Sequence, residues 1–158
     1  MQQSRFKLLK LWIWFQFPTV RSLSAEDLDR WLQDPTRTPP ILLDVRTVPE
    51  FTVSHLKTAQ RIDPIAPDWS HLPKHFAIVV YCSVGYRSAR LAQQLQEQGF
   101  TNVQNLAGSI FQWANEGRSL YESNGKLARS VHPYNAQWGK LLKPELRATI
   151  GESIQTTT

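Results

Sequence analysis

The chain has 158 residues and a net charge of +5 at neutral pH, a length that suits one domain with a hydrophobic core. Its single cysteine, Cys82, excludes an intrachain disulfide and favours a reducing, cytoplasmic compartment. The histidines are scattered without the spacing of a metal site, so neither a metal nor a cofactor is expected. The positive charge lies near the two ends rather than in a dense basic stripe, which argues against a nucleic-acid partner.

Residues 1–19 form a predicted N-terminal arm. The basic residues Arg5 and Lys7 precede an apolar, aromatic run at 8–17, LLKLWIWFQF. This run is too short to cross a membrane, which takes about 20 apolar residues, and no signal-peptide cleavage site follows it. Two interpretations stay open. The arm packs on the domain or on a partner, or residues 8–17 make a peripheral membrane contact through tryptophan and flanking cations.

Residues 20–122 show helices and strands in alternation. Ser24 and the acidic residues after it mark the start of an amphipathic helix, and apolar runs at 41–45 and 77–81 predict buried strands. The remaining predicted elements are a short helix from Pro49, brief strands at 60–63 and 103–106, and helices at 89–98 and 108–117. This alternation predicts an α/β domain with a mostly parallel central sheet flanked by helices.

The C-terminal extension, residues 123–158, is polar and loop-like at first. Trp138, Leu141 and Leu142 then restore apolar character, which predicts that the extension packs partly on the domain. The chain is therefore divided into an arm, a domain at 20–122 and this extension.

Cys82 directly follows the predicted strand at 77–81, at the carboxyl edge of the sheet, where open α/β sheets place their sites. A short loop containing Gly85 and Arg87 separates it from the next helix, which Ser88 is expected to open. Backbone N–H groups at a helix N-terminus and a nearby cation favour an anion, and with it the nucleophilic thiolate form of a cysteine. The alternative is a buried structural cysteine at a strand end.

Three segments within residues 20–122 resemble the rhodanese-homology family of sulfurtransferases. They are the LLDVR run at 42–46 with Glu50, Phe51 and His55, the CSVGYRS loop at 82–88, and a closing segment with Gly99, Phe100, Val103, Leu106, Gly108 and Trp113. The resemblance implies the three-layer rhodanese-like fold. The SHLKTA stretch at 54–59 departs from the family's Gly-His-Ile-Pro-Gly-Ala, which leaves the geometry of that turn open.

The resemblance also implies a persulfide mechanism. Cys82 would take sulfane sulfur from thiosulfate or a persulfide donor and pass it to a thiol or cyanide acceptor. Asp44 and Arg46 would support the site, Arg87 would bring positive charge to an anionic donor, and Ser88 would cap the helix. The acceptor must be external, because no second cysteine can take the sulfur. The residues implied to bind the substrate are Ser83, Val84, Gly85, Tyr86, Arg87 and Ser88.

Two functions of other classes are alternatives to sulfur transfer. Cysteine phosphatases have one more residue between their cysteine and arginine than the four, 83–86, that separate Cys82 from Arg87, so the narrower loop argues for sulfur. A non-catalytic rhodanese-like interaction or regulatory module would not need Cys82 and Arg87, and this chain keeps both.

Overall fold

The computed structural model of the protein describes residues 1–150. The part of the predicted C-terminal extension at 151–158 lies outside the described residues. The helices are α1 (Gln2–Gln16), α2 (Ala25–Gln33), α3 (Val48–Val53), α4 (Tyr86–Glu97) and α5 (Ser109–Asn115), with 3₁₀ helices at Trp138–Leu141 and Pro144–Leu146. The strands are β1 (Arg21–Leu23), β2 (Ile41–Asp44), β3 (Gln60–Arg61), β4 (Ile78–Tyr81), β5 (Val103–Leu106), β6 (Leu120–Tyr121) and β7 (Leu127–Ala128).

Within residues 1–150, five strands form one sheet in the order β1-β5-β4-β2-β3, and each neighbouring pair is parallel. The side chains of the central strand β4 alternate between the two faces. Val79 and Tyr81 belong to the core that α2 and α5 cover, whereas Ile78 and Val80 belong to the core that α4 covers. The structure therefore confirms the predicted three-layer α/β fold with helices on both faces.

The start of α4 differs from the prediction. The helix begins at Tyr86, and its N-cap residue is Gly85 in the left-handed region with φ +117°. The prediction that this helix opens at Ser88, with the serine as its cap, was therefore wrong. Gly85 lets the chain enter α4 earlier than predicted, because glycine has no Cβ to oppose a positive φ.

Three short strands were absent from the sequence prediction. Strand β1 pairs with β5 at the edge of the sheet, and β6 and β7 form a separate antiparallel pair. Each of these strands spans only two or three residues, too few for an alternating apolar pattern to emerge.

Helix α1 packs on the domain with one face and leaves a second apolar face exposed. Phe6, Ile13 and Phe17 are buried, whereas Leu8 and Phe15 are 67% and 65% exposed. Within residues 1–150 no helix combines the length and the apolar character that a membrane span needs.

The C-terminal segment also packs on the domain. Val131 and Leu142 are fully buried, and the side chain of Asn115 donates to the carbonyl of Leu141 and accepts from the amide of Lys143 at 2.8 and 2.9 Å. The predicted division of the chain at residues 20 and 122 stays a prediction.

The turn at 54–59, which lacks the family's glycines, keeps a left-handed residue. Thr58 has φ +65° at the position where the family pattern has its second glycine. A β-branched residue in this region is strained by roughly 1–2 kcal/mol.

Candidate active site

The sulfur of Cys82 lies where β4 ends and α4 begins. The backbone N–H of Gly85 donates to Sγ at 3.1 Å, and the hydroxyl of Ser88 lies 3.4 Å from it. The cysteine is 1% exposed. An N–H group aimed at the sulfur from the N-cap of a helix stabilises negative charge there.

The N-terminus of α5 holds the backbone of this loop. The hydroxyl of Ser109 accepts a hydrogen bond from the Cys82 amide at 3.1 Å. The amides of Ile110 and Phe111 donate to the carbonyls of Cys82 and Ser83 at 3.2 and 3.1 Å. Because these polar groups of a buried loop are paired with α5, the sulfur is fixed relative to a second helix as well as to α4.

Asn105, at the end of β5, ties the loop to α4. Its amide nitrogen donates to the Gly85 carbonyl at 3.0 Å, and its oxygen accepts from the Ser88 hydroxyl at 2.7 Å. Ser88 lies inside the helix and does not cap it, so its predicted capping role was wrong. Asn105 was missed from the sequence, where it reads only as a polar residue in a short strand.

Glu50 is the second site residue that the sequence analysis missed. Its carboxylate forms an ion pair with Arg87. The guanidinium donates to both carboxylate oxygens at 2.8 and 3.1 Å, and the Ser83 hydroxyl donates to one of them at 3.0 Å. Arg87 also lies 4.7 Å from the centre of the Tyr134 ring. The sequence placed Glu50 only in a short helix and in a family signature, without a partner.

Burial of Glu50 favours its neutral form and would raise its pKa. The hydrogen bonds and charge of Arg87, together with the bonds from the Thr47 backbone and side chain, outweigh burial and lower the pKa of Glu50 to about 2. Burial lowers the pKa of Arg87, but the hydrogen bonds and charge of Glu50, together with the neighbouring Cys82 and Tyr134, raise it more, so that pKa lies above its usual range. The pair is therefore fully charged at neutral pH.

Asp44 and Arg46 form a second, fully buried ion pair at the end of β2. Arg46 binds both carboxylate oxygens of Asp44 and donates to the Ser54 carbonyl at 2.7 Å. Asp44 is also the register partner of Tyr81, the residue before Cys82. The pair thus links β2, the turn at Ser54 and the strand that carries the cysteine, while its predicted supporting role in the site stays a prediction.

A pocket of about 320 Å³ opens above the sulfur. Loop residues Cys82, Ser83, Val84, Tyr86 and Arg87 form its floor and one wall. The predicted site residues Gly85 and Ser88 do not line the pocket. Gly85 binds the sulfur, and Ser88 binds Asn105. The other walls come from the two ends of the chain and are formed by Leu9, Trp12, Tyr134 and Trp138.

The comparison with known families agrees with this architecture. A family model described as the rhodanese-like domain matches residues 24–116. The chain belongs to this family. Helix α1 and the segment with Tyr134 and Trp138 lie outside the part of the rhodanese-like domain that the family model matches.

The rhodanese-like domain has relatives with different names. A sulfurtransferase from Allochromatium vinosum is 31% identical over 108 residues, which cover 67% of this chain and 99% of that protein. A tRNA uridine(34) hydroxylase from Erwinia tasmaniensis is 28% identical over 104 residues, and the match spans 61% of this chain but 29% of the hydroxylase. The crystal structure of a rhodanese-like domain protein from Staphylococcus aureus has a TM-score of 0.58 at 24% identity, with 66% of this chain and 99% of that chain covered.

Replacement of Glu50 tests the buried ion pair. Glu50→Gln should lower the free energy of unfolding by about 2 kcal/mol at pH 7, because Arg87 loses its buried counter-charge. The pKa of about 2 in the folded protein lies below the ordinary value of 4.5 for a glutamate. The stability from the carboxylate is therefore present above pH 4.5 and lost as the pH falls towards 2. Urea unfolding of both proteins at pH 7 and pH 3 measures this.

The matched control is Glu26→Gln. Glu26 pairs with Arg30 on the surface, where its side chain is 70% exposed, and such pairs contribute about 0.5 kcal/mol or less. A loss for Glu50→Gln that is the same at pH 7 and pH 3, or no larger than that of the control, would show that the ion pair does not stabilise the fold.

Proposed function

We propose that the protein is a sulfurtransferase that carries sulfane sulfur as a persulfide on Cys82. The observation that carries this proposal is the buried Cys82 sulfur, which accepts the Gly85 N–H at 3.1 Å beside the start of α4 and forms part of a pocket floor. The similarity to a protein named sulfurtransferase over almost its whole length supports it.

In the first step the Cys82 thiolate attacks the outer sulfur of a sulfane donor. With thiosulfate, the bond between the outer sulfur and the sulfonate sulfur breaks, and sulfite leaves with the electron pair. The enzyme then holds a cysteine persulfide anion, and the total charge is unchanged. The N–H of Gly85 and the N-terminus of α4 stabilise this anion.

In the second step a nucleophilic acceptor attacks the terminal sulfur of the persulfide. The sulfur–sulfur bond breaks, and its electron pair returns to Cys82 as the thiolate. Cyanide would leave as thiocyanate, and a thiolate would leave as a new persulfide. Neither step needs a general base in the protein, because both nucleophiles react as anions.

The roles of the remaining loop residues are part of the proposal. Ser83 and Arg87 would face the donor, since both line the pocket and Arg87 is 28% exposed. Val84 and Tyr86 would form apolar walls. Ser88 would keep its hydroxyl near the sulfur. A contact between Arg87 and an anionic donor remains a prediction, because the guanidinium already binds both oxygens of Glu50.

The alternative is a non-catalytic interaction or regulatory module of the rhodanese-like type. Such a module has no need for a cysteine that accepts an N–H bond at the floor of a pocket. The phosphatase alternative is opposed by the shorter loop between Cys82 and Arg87. The cytoplasmic location suggested by the single cysteine remains a prediction.

Persulfide formation tests the proposed function. Incubation of the purified protein with thiosulfate or inorganic polysulfide should add one sulfur atom to Cys82, and cyanide should then remove it as thiocyanate. Intact mass and thiocyanate release measure the two steps. Cys82→Ser should abolish both while leaving the fold intact. A protein that gains no sulfur from any sulfane donor while Cys82 remains open to alkylation is not a sulfurtransferase.

We further propose that the exposed face of α1 makes a peripheral contact with an anionic lipid surface. Leu8, Leu11 and Phe15 follow one another at helical spacing and are 67%, 51% and 65% exposed. The exposed cations Arg5 and Lys7 precede them on the same helix. Apolar side chains with neighbouring cations are the features by which interfacial helices bind anionic membranes.

Flotation with lipid vesicles tests this contact. The protein should float with vesicles that contain phosphatidylserine, and Leu11→Gln/Phe15→Gln should reduce the floated fraction severalfold, because the apolar contact is lost. The matched control is Ile65→Gln/Leu127→Gln, which removes two residues that are 92% and 66% exposed elsewhere on the surface. Equal flotation of the two double variants would exclude α1 as the contact. Removal of α1 is a poorer test, since it would uncover the core against which Phe6 and Ile13 pack.

A further inference from the structure

The pocket above Cys82 is walled mainly by aromatic rings. Trp12 stacks on Tyr86 with ring centres 5.6 Å apart and an angle of 16° between the planes. Tyr134 and Trp138 from the C-terminal segment line the same pocket, and Leu9 adds an aliphatic surface. Such walls gain most from an apolar or aromatic group that displaces water from them.

The pocket has little free positive charge for an anionic substrate. Among the described residues that line it, Arg87 is the only one with a permanent cation, and both carboxylate oxygens of Glu50 bind that guanidinium at 2.8 and 3.1 Å. A small anion in this pocket would lose water and gain a cation that is already neutralised. The charge distribution therefore favours an uncharged body on the molecule whose sulfur reacts at Cys82.

The size of the pocket points to an organic molecule. Its volume of about 320 Å³ lies at the lower end of the range of about 300–1,000 Å³ that is typical of small-molecule sites. Cyanide has only two atoms and would leave most of this space unfilled. A phenyl ring would fill more of it and meet a lining that includes Trp12, Tyr86 and Tyr134.

Helix α1 and the C-terminal segment, which form the other walls of the pocket, both pack on the domain. Helix α1 is held on the domain by the buried Phe6 and Ile13, and a hydrogen bond from Gln2 to the carbonyl of Lys140 at 2.7 Å joins it to the C-terminal segment. The C-terminal segment is held by the buried Leu142 and by Asn115. A preformed apolar pocket binds without the cost of ordering its walls.

We propose that this pocket binds the apolar group of an organic thiol, so that the Cys82 persulfide passes its sulfur preferentially to low-molecular-weight thiols that carry an aromatic or aliphatic body. This inference rests on the proposed sulfurtransferase function. The acceptor thiol loses its proton to solvent, and its thiolate attacks the terminal sulfur of the persulfide. A sulfur–sulfur bond forms on the acceptor, the one on the enzyme breaks, and Cys82 recovers the electron pair as a thiolate.

The test compares two thiol acceptors of similar acidity, benzyl mercaptan and 2-mercaptoethanol. The full chain is first converted to the Cys82 persulfide with inorganic polysulfide, and excess donor is removed. Each thiol is then added, and the loss of the persulfide is followed by intact mass. The reference is the same pair of thiols reacting with glutathione persulfide in solution. The enzyme should prefer benzyl mercaptan by about tenfold or more over this reference, since even one methylene in an apolar pocket is worth about that factor.

Variants locate the preference in the pocket. Trp12→Ala and Tyr134→Ala should move the ratio of the two rates towards the solution value. Trp14→Ala is the matched control, because Trp14 lies on the same helix and is 51% exposed against 49% for Trp12, but does not line the pocket. It should leave the ratio unchanged. A wild-type ratio equal to the solution ratio overturns the inference while leaving the sulfurtransferase proposal intact.

A binding measurement tests the pocket even if the proposed sulfurtransferase function fails. If no persulfide forms, the proposed function fails, and the pocket is then tested with Cys82→Ser. Benzyl mercaptan should change the tryptophan fluorescence of this variant in a saturable way, because Trp12 and Trp138 line the pocket, and 2-mercaptoethanol should not. The absence of saturable binding overturns the inference on its own.

Discussion

The chemistry of this protein depends on one turn of the backbone, the passage from β4 into α4 at Gly85. The chain leaves a buried parallel strand at Tyr81 and enters a helix at Tyr86, and the positive φ of Gly85 makes this change of direction possible. The turn aims the Gly85 N–H at the Cys82 sulfur. The bonds from α5 to Cys82 and Ser83 then hold the loop in that shape.

A second constraint is the placing of charge around this turn. Two arginines lie close to the site, and each is paired with a buried carboxylate, Arg87 with Glu50 and Arg46 with Asp44. The pairs join α3 to α4 and β2 to the turn at Ser54. They contribute rigidity, but they leave little net positive charge at the pocket. The anion-stabilising groups that remain are backbone amides, which are uncharged and fixed in direction.

The sequence predicted the fold and the position of Cys82 well, because both follow from local patterns. Apolar runs bounded by turns marked β2 and β4, and the position of Cys82 directly after β4 put it at the carboxyl edge of the sheet. The helix start was missed because a serine is a common cap, whereas the glycine that acts here is recognised only by its φ. Glu50, Asn105 and the ring of Tyr134 were missed because they reach the site from elements distant in sequence, and a single sequence carries no signal for such contacts.

The burial of a single cysteine at the floor of an aromatic pocket has a practical consequence. Cys82 is the only cysteine in the chain and is 1% exposed, so a thiol-directed reagent modifies one known atom and reaches it through the pocket that Trp12, Tyr134 and Trp138 line. The rates for reagents that share one reactive group but differ in width, each divided by the rate for the narrowest reagent, measure how readily the entrance admits a molecule of that width. A series of reagents of increasing size would thus give the dimensions of the opening in solution, and the protein needs no added label for it.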